Sequence, residues 1–245
     1  MDIEGCTALV TGANRGLGKA YVEALLSAGA AKVYAAARDP SSISDPRVTP
    51  IRLDVTSPSD IAAAAGRCAD VNLLINNAGA MLLTPMLAEG SDAAMRREME
   101  VNVFGVLAMV QAFAPILARN GGGAIANMLS VVSWYVFPFN ATYCASKHAA
   151  LAVTDAVRIQ LRAQGTRVVG VYAGFIDTDM AADVDAPKTP PRQVAERTLA
   201  GVRSVQDHVF ADDYARDIRI ALNTDAAKVA AEMQQAWDAG SHWSR

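Results

Sequence analysis

Seven short apolar runs, separated by longer stretches with helical periodicity, restrict the fold of this 245-residue chain more than any other feature. The runs occupy residues 7–11, 32–37, 49–55, 72–76, 124–130, 167–173 and 208–211. Strands that alternate with helices form a parallel sheet, because each right-handed crossover needs about a dozen residues to reach a parallel neighbour. The sequence therefore predicts a doubly wound α/β fold: one domain over residues 1–245, with a mostly parallel seven-stranded sheet and helices on both faces.

The stretches between the runs predict the helices. In the first stretch, apolar residues recur on one helical face and Gly29 supplies a stop. That face consists of Leu17, Ala20, Tyr21, Ala24, Leu25 and Ala28. Further helices are expected near residues 58–66, 93–119, 143–164 and 191–203. Residues 210–218 indicate a last strand and helix, and the tail after about residue 236 is either disordered or closes the pocket.

Composition and charge narrow the class of protein. The net charge of −3, without a Lys/Arg cluster, argues against a nucleic-acid partner. Cys6, Cys68 and Cys144 lie far apart with no CxxC spacing, so we expect reduced thiols and no metal site. We expect a soluble cytoplasmic protein without a membrane segment, on the interpretation that no uncharged run reaches about 18 to 20 residues.

The stretch "TGANRGLG", residues 11–18, follows the first strand and opens the first helix. Its glycines, Gly12, Gly16 and Gly18, allow the turn to pass close to a diphosphate, and the helix N-terminus offers free N–H groups to an anion. The alternative is a tight strand-to-helix connection without a ligand. The βαβ context on both sides favours nucleotide binding.

Tyr143 and Lys147 stand four residues apart in "NATYCASKHAAL". On a helix they share one face, so the ammonium can approach the phenol. Tyrosine titrates near pH 10 and transfers protons better at neutral pH when its pKa is lower. We expect Lys147 to lower the pKa of Tyr143, although a single pair at this spacing is weak support on its own.

Together, the TGxxxGxG turn, "NNAG" at 76–79 and the Tyr143/Lys147 pair resemble the short-chain dehydrogenase/reductase family, in its single-domain branch. The resemblance extends from residue 6 to about residue 215 and implies a Rossmann-type NAD(P)-binding fold that oxidises alcohols or reduces carbonyls. Ser130, thirteen residues before Tyr143, matches the family's serine, with Ser133 as a nearby competitor.

The resemblance implies a division of roles. Hydride passes from NADPH to a carbonyl carbon while Ser130 polarises the oxygen and Tyr143 protonates it. Asn102 matches the family residue thought to hold a water that links Lys147 to solvent as a proton relay. Taken alone, an Asn in mid-helix suggests only a local kink.

The end of the second strand predicts the cofactor. Ala37 occupies the position where an acidic residue usually accepts the ribose hydroxyls of NAD. Arg38 follows, and Arg15 projects from the Gly-rich turn, so both guanidinium groups can flank a 2′-phosphate. Asp39 could compete as an acceptor, or both arginines could be solvated surface residues. We predict that NADP(H) is preferred over NAD(H).

Other cofactor positions follow from the resemblance. Asp54 would meet the adenine amino group, although it could instead be a helix N-cap. Ala173 replaces the family's proline, which makes the entry to a lid or substrate loop over about residues 175–192 less rigid. The full cofactor set is Gly12, Asn14, Arg15, Gly16, Leu17, Gly18, Arg38, Asp54, Val55, Asn77, Ala78, Gly79, Tyr143, Lys147, Gly174 and Thr178.

The loops expected near the nicotinamide are apolar: Met81, Leu82, Val132, Trp134, Phe137, Phe139, Phe175 and Met180. We therefore expect an uncharged small-molecule substrate, an apolar or aryl ketone. His148, His208 and His242 have no spacing that indicates a metal or a catalytic triad. The helices near 93–119 and 143–164 pair between subunits in this family, which implies a homodimer or homotetramer, although ordinary helix-on-sheet burial would explain their apolar faces.

Two other functions compete with carbonyl reduction. A dinucleotide-binding redox sensor could dispense with Tyr143, Lys147 and Ser130, yet all three are present. An enzyme that eliminates or epimerises is also less consistent with the chain, because cofactor-free relatives tend to lose the glycine turn and sugar-nucleotide epimerases carry a longer substrate domain.

Overall fold

The computed structural model describes residues 1–240 and contains a seven-stranded sheet in which every pairing is parallel. The strands are β1 (Thr7–Thr11), β2 (Lys32–Ala37), β3 (Thr49–Arg52), β4 (Leu73–Asn76), β5 (Gly123–Met128), β6 (Thr166–Tyr172) and β7 (His208–Phe210). Their order is β3-β2-β1-β4-β5-β6-β7. The predicted doubly wound fold is confirmed, and the direction of winding changes between β1 and β4.

The helices alternate with these strands. They are α1 (Gly16–Ser27), α2 (Pro58–Arg67), α3 (Ser91–Met99), α4 (Val106–Arg119), α5 (Ala141–Leu161), α6 (Pro191–Arg203), α7 (Asp213–Thr224) and α8 (Ala226–Asp238). Gly29 follows α1 with φ +83°, a conformation that favours glycine and ends the helix. Helix α8 is not predicted from the sequence and occupies most of the segment between the last predicted helix and the tail.

A π-helical turn, Glu100–Gly105, separates α3 from α4, where the sequence predicts one continuous helix. The wider turn brings the helix close to the strand-end residue Val55. A Cβ added to Gly105 would lie 2.9 Å from Val55 Cγ2. Such turns are rare and often accompany functional sites, and this one contains Asn102.

Two apolar layers enclose the sheet, because successive residues of each strand point to opposite faces. On β1, Ala8 and Val10 pack in the layer that also contains Tyr21 of α1 and residues of α6. Leu9 faces the other layer, where Phe113 of α4 is fully buried. The loops that follow the strands meet at the carboxyl ends of the strands, because every pairing in the sheet is parallel.

The interpretation that no uncharged run reaches the length of a membrane span is wrong, since residues 101–118 carry no Asp, Glu, Lys or Arg. By length and composition, the continuous helical stretch Ser91–Arg119 would be able to cross a bilayer. In the structure, 61% of its apolar window is buried inside the protein. The stretch therefore serves as a core helix of this fold.

Candidate active site

A cavity of about 610 Å³ lies at the carboxyl ends of the strands, around the switch between β1 and β4. Open α/β sheets bind ligands at this place. Every predicted cofactor residue lines the cavity, as do Ser130, Tyr143 and Lys147. Asn102 is the predicted site residue that does not line it; its side chain is buried behind the wall.

The Gly-rich turn forms one end of the cavity. Gly12 and Gly16 have φ values of +66° and +51°, which side-chain-bearing residues rarely adopt. A Cβ on Gly18 would lie 1.9 Å from the Gly12 carbonyl oxygen, so the turn closes only without a side chain there. No side chain caps the N-terminus of α1, so its first N–H groups are free to bind an anion such as a diphosphate. This cradle fits a dinucleotide.

Asn77 and Thr11 fix the loop beside that turn. The Asn77 side-chain amide donates to the Thr11 carbonyl at 2.9 Å. The Thr11 hydroxyl oxygen accepts from the backbone N–H groups of Asn77 and Ala78, each at 2.9 Å. The Asn77 side chain thus links the end of β1 to the loop that follows β4.

Three arginines line the cavity near the end of β2. Arg38 is exposed, and Ala37 before it is buried. Asp39 accepts from the Ser41 N–H at 3.0 Å and from the Ser41 hydroxyl at 2.7 Å, so it caps a short turn instead of pairing with Arg38. The third arginine, Arg97 on α3, has no sequence signal, because only the fold brings α3 to this end.

Arg15 pairs with Asp179 across the mouth of the cavity. The Arg15 Nη1 to Asp179 Oδ2 distance is 3.2 Å, and the side chains are 69% and 77% exposed. Exposed pairs of this kind contribute about 0 to 1 kcal/mol, so a phosphate can displace the carboxylate. Thr178, just before Asp179, lies against the turn: a Cβ on Gly16 would be 3.2 Å from Thr178 Cγ2.

Asp54 follows β3 and lines the same end of the cavity. Its Oδ1 accepts from the Thr56 N–H at 2.9 Å and from the Thr56 hydroxyl at 2.7 Å. The backbone hydrogen bond lowers the pKa of Asp54, with a smaller contribution from the charge of Arg38. The alternative that Asp54 caps α2 is wrong, because Ser57 is the N-cap and accepts from the Asp60 N–H.

Helix α5 carries the central side chains. Lys147 is 5% exposed, and its Nζ donates to the Met128 carbonyl at 2.8 Å. The same Nζ lies 5.5 Å from the centroid of the Tyr143 ring. Burial lowers the pKa of Lys147 to about 8. The Ser130 hydroxyl donates a long bond, 3.4 Å, to the Ala173 carbonyl and accepts another, also 3.4 Å, from the Val132 N–H, and Ser133 does not line the cavity.

The expectation that Lys147 lowers the pKa of Tyr143 is wrong for the protein by itself. Burial is the main cause that raises the pKa of the Tyr143 phenol, and two nearby acidic groups, the Cys144 thiol and the Glu98 carboxyl, raise it further. A hydrogen bond with the Ser130 side chain opposes the rise. Because desolvation outweighs the other contributions, the phenol stays protonated at neutral pH.

Asn102 holds the loop after β4. Its Oδ1 accepts from the Ala80 N–H at 2.9 Å, and its Nδ2 donates to the Ala80 carbonyl at 2.8 Å and to Ser146 Oγ at 2.9 Å. One turn earlier, the buried Glu98 accepts from the Leu82 N–H at 2.7 Å. The two side chains position the pocket loop, and burial raises the pKa of Glu98. No motif in the sequence marks Glu98 as a site residue.

Hydrogen bonds hold together the two ends of the loop after β6, residues 174–189. The Thr189 N–H donates to the Phe175 carbonyl at 2.7 Å. Buried Asp212, the N-cap of α7, accepts from the Gly174 N–H at 2.8 Å and from the Thr189 hydroxyl at 3.2 Å. These contacts hold the entry where Ala173 replaces the family's proline. Asp212 has no motif of its own and was not predicted.

The other end of the cavity is mainly apolar. Of the eight residues predicted there, six line it: Met81, Leu82, Val132, Phe137, Phe175 and Met180. Trp134 stacks on Tyr172 at 4.1 Å and Phe139 packs 4.9 Å from Trp237, so neither lines the cavity. Tyr214 and Met233 contribute to the wall from α7 and α8. Residues 236–240 do not line the cavity, although Trp237 packs on Phe139, and residues 241–245 lie outside the described part.

The remaining candidates contribute no chemistry at the cavity. His148 Nδ1 lies 2.8 Å from the Cys144 carbonyl, and His208 Nδ1 lies 3.0 Å from the Tyr172 hydroxyl. His242 lies outside the described residues. Within residues 1–240, no group of three His, Cys, Asp or Glu side chains could hold a metal ion. The three cysteines are free and buried.

Both the fold and the arrangement of the cavity are those of a nicotinamide-dinucleotide oxidoreductase. A family model for short chain dehydrogenases matches residues 6–189. The chain therefore belongs to the short-chain dehydrogenase/reductase family and is an NAD(P)-dependent oxidoreductase.

Several relatives are similar along most of their length. Sorbitol dehydrogenase of Cereibacter sphaeroides is 33% identical over 196 residues, which is 76% of both chains. The structure of a short chain dehydrogenase from Burkholderia cenocepacia J2315 in complex with NADP is 43% identical, with a TM-score of 0.92 over 95% of this chain and 99% of that one. A short chain dehydrogenase/reductase from Burkholderia phymatum in complex with NAD has a TM-score of 0.81 at 23% identity, over 93% and 96% of the two chains, and shares the fold.

Proposed function

We propose that the protein reduces a ketone or aldehyde with NADPH, and in reverse oxidises a secondary alcohol. The observation that carries this proposal is the position of Ser130, Tyr143 and Lys147 on the wall of the cavity that the Gly-rich turn also lines. A dinucleotide whose diphosphate lies at that turn would reach the three side chains with its nicotinamide. When bound, the cofactor supplies the hydride.

Each side chain has a role that its surroundings support. The Tyr143 phenol, whose pKa is raised by burial, is protonated at neutral pH and can give its proton to the substrate oxygen. The Ser130 hydroxyl can exchange its long bond to Ala173 for one to the same oxygen. Lys147, with a pKa of about 8, can return a proton to Tyr143. Both N–H hydrogens of the Asn102 side-chain amide are already donated, so a relay through Asn102 would have to use other atoms of the residue.

The basic residues that line the cavity support NADP(H) as the preferred cofactor. They are Arg15, Arg38, Arg97 and Lys147. Arg38 is exposed beside Ala37, where no carboxylate is available to the ribose hydroxyls. A hydrogen bond to a charged group contributes about 1.5 to 3 kcal/mol, which would favour NADPH about ten- to hundredfold. The Burkholderia cenocepacia relative was solved with NADP.

The same distribution of charge supports an uncharged substrate. Arg38 and Arg97 both lower the pKa of Asp54, which places them at the adenine end, and Arg15 belongs to the Gly-rich turn. Lys147 is buried against Met128. The wall at the substrate end is mainly apolar or aromatic, which suits an apolar or aryl ketone.

The experiment is NADPH consumption by the purified protein with aliphatic, aryl and bicyclic ketones, repeated with NADH. We expect turnover of neutral ketones, with kcat/KM for NADPH at least about tenfold above that for NADH. Turnover of anionic ketones alone would contradict the substrate class. Tight NADPH binding without turnover of any ketone would favour the redox sensor.

The proposal also includes the oligomeric state of the protein and its cellular compartment. Phe104 at the π-helical turn is 55% exposed and Ile159 on α5 is 77% exposed, which supports pairing of these helices in a homodimer or homotetramer. A monomer in light scattering would contradict this prediction. We also propose that the protein works in the cytoplasm on small molecules, without a nucleic-acid or membrane partner. Cell fractionation would test this.

A further inference from the structure

A second cavity lies beside the candidate active site. It has a volume of about 860 Å³ and is lined by the loop over residues 85–88, by residues between 135 and 141, and by helices α7 and α8. We call it the α8 groove, because α8 forms most of its wall. Tyr135 and Met233 line both this groove and the active-site cavity. The two spaces are therefore neighbours, with these two side chains between them.

The wall of the α8 groove is almost entirely apolar. Among the described residues that line it none is charged, and its polar side chains are Tyr135 and Gln234. The Tyr135 hydroxyl already has a partner, since it lies 3.0 Å from the Tyr214 hydroxyl and the two are hydrogen-bonded. Leu87 and Trp237 in the same wall are exposed to solvent. Contiguous exposed apolar surface of this kind marks a binding site, and the lack of charge suits an uncharged, apolar occupant.

The position of the groove relative to Tyr143 indicates what occupies it. Hydride transfer requires the carbonyl carbon to lie beside both the nicotinamide and Tyr143, and the dinucleotide extends from there to the Gly-rich turn. The rest of a long substrate has to point away from the cofactor, towards the end whose wall includes Tyr214 and Met233. The α8 groove adjoins this end and includes Ala141, two residues before Tyr143 on α5.

We propose that the α8 groove binds the distal alkyl chain of the substrate, so the preferred substrates are ketones with one long alkyl chain. This inference rests on the proposed function. Met233 is the point of passage, because its half-buried, flexible side chain can turn aside while α8 stays in place. Each CH₂ group buried in the groove should raise kcat/KM about two- to fourfold.

The test is kcat/KM with NADPH for methyl ketones whose alkyl chain grows from about four to about twelve carbons, each below its solubility limit. For wild type, we expect kcat/KM to rise with chain length and to level off when the groove is full. Ala230→Trp places an indole in the groove and should lower the ratio of long-chain to short-chain kcat/KM at least about tenfold. A general loss of packing would lower both values and leave their ratio unchanged.

Ala227→Trp is the matched control, since Ala227 is also exposed on α8 but does not line the groove. Its ratio should equal that of wild type. Ketone turnover without dependence on chain length, or a dependence that survives Ala230→Trp, would overturn this inference alone. In the second case, a change in the light scattering of that variant would assign the groove to a second copy of the chain instead. Failure of wild type to turn over any ketone would overturn the proposed function and this inference with it.

Discussion

The two ends of the cavity are built in different ways. At the cofactor end, backbone segments pack directly against each other. A Cβ added to Gly18 would lie only 1.9 Å from the Gly12 carbonyl oxygen, so this contact requires glycine. At the substrate end, side chains from distant elements meet, as when Asp212 holds Gly174 and Thr189. Local geometry determines the Gly-rich turn at the first end, whereas tertiary contacts determine the second end.

This difference explains why one fold can keep its cofactor and change its substrate. The cofactor end tolerates few residue types, because positive φ values and close backbone contacts admit only glycine. The substrate end depends on the lengths and chemistry of side chains from α5, α7 and α8, which can change while the sheet stays the same. Substitutions at the cofactor end and at the substrate end can therefore test this difference separately.

Gly18→Ala should have the largest effect. The added Cβ must displace the Gly12 carbonyl, so we expect a loss of at least about 3 kcal/mol in the free energy of unfolding together with loss of NADPH binding. Gly66→Ala on α2 is the control, since its Cβ would meet nothing within 4 Å. That variant should be stabilised by about 0.5 to 1 kcal/mol. Urea unfolding and fluorescence titration provide the measurements.

Normal cofactor binding by Gly18→Ala would show that the turn can relax. The cofactor end would then be no more rigid than the substrate end, and the contrast would lose its basis.

Arg38→Ala should have the next largest effect, and it tests how the cofactor end distinguishes NADPH from NADH. Loss of the guanidinium should lower kcat/KM for NADPH about ten- to hundredfold and leave that for NADH nearly unchanged. Arg167→Ala removes an equal charge from an exposed strand residue outside the cavity and should alter neither. Steady-state kinetics with both cofactors measure the result, and an equal loss with NADH would exclude 2′-phosphate recognition by Arg38.

The sequence predicts the cofactor end of the cavity better than the substrate end. The turn, the strand ends and the Tyr143/Lys147 pair are local patterns, so their elements were predicted nearly to the residue. Asp212 depends on contacts between segments far apart in the chain, and no pattern along the sequence marks it. The pKa of Tyr143 was predicted in the wrong direction, because the extent of its burial is a property of the folded protein.

Asp212→Ala tests whether the substrate end depends on tertiary contacts. Three hydrogen bonds are lost, from Gly174, Thr189 and Ala215, so we expect KM for the ketone to rise about tenfold while KM for NADPH changes less. Asp225→Ala is a matched control, since Asp225 caps α8 in the same way without contacting the 174–189 segment. Equal ketone KM values in the two variants would contradict a positioning role for Asp212.

Lys147→Met should change stability at the point where the cofactor end and the substrate end of the cavity adjoin. Burial holds the pKa of Lys147 at about 8, below its unfolded value near 10.4, so at pH 7 the charged form costs about 3 kcal/mol. After loss of about 1 kcal/mol for the bond to Met128, the variant should be about 2 kcal/mol more stable and inactive.

The pH dependence follows from the direction of that shift. Below about pH 8 both states bind the proton and the full cost is present, whereas above about pH 10.4 both are neutral and the cost is absent. The advantage of Lys147→Met should therefore shrink as the pH rises through this window. Lys228→Met, at an exposed position on α8, should show no such trend in urea unfolding.

The most direct test of the central claim is turnover by Tyr143→Phe, with NADPH binding measured on the same sample. The account predicts that the variant binds NADPH as wild type does, because the Gly-rich turn and the arginines are untouched, and loses at least about a hundredfold in kcat on a neutral ketone. Retained turnover would contradict the assignment of proton transfer to Tyr143, and with it the proposed carbonyl chemistry of this cavity.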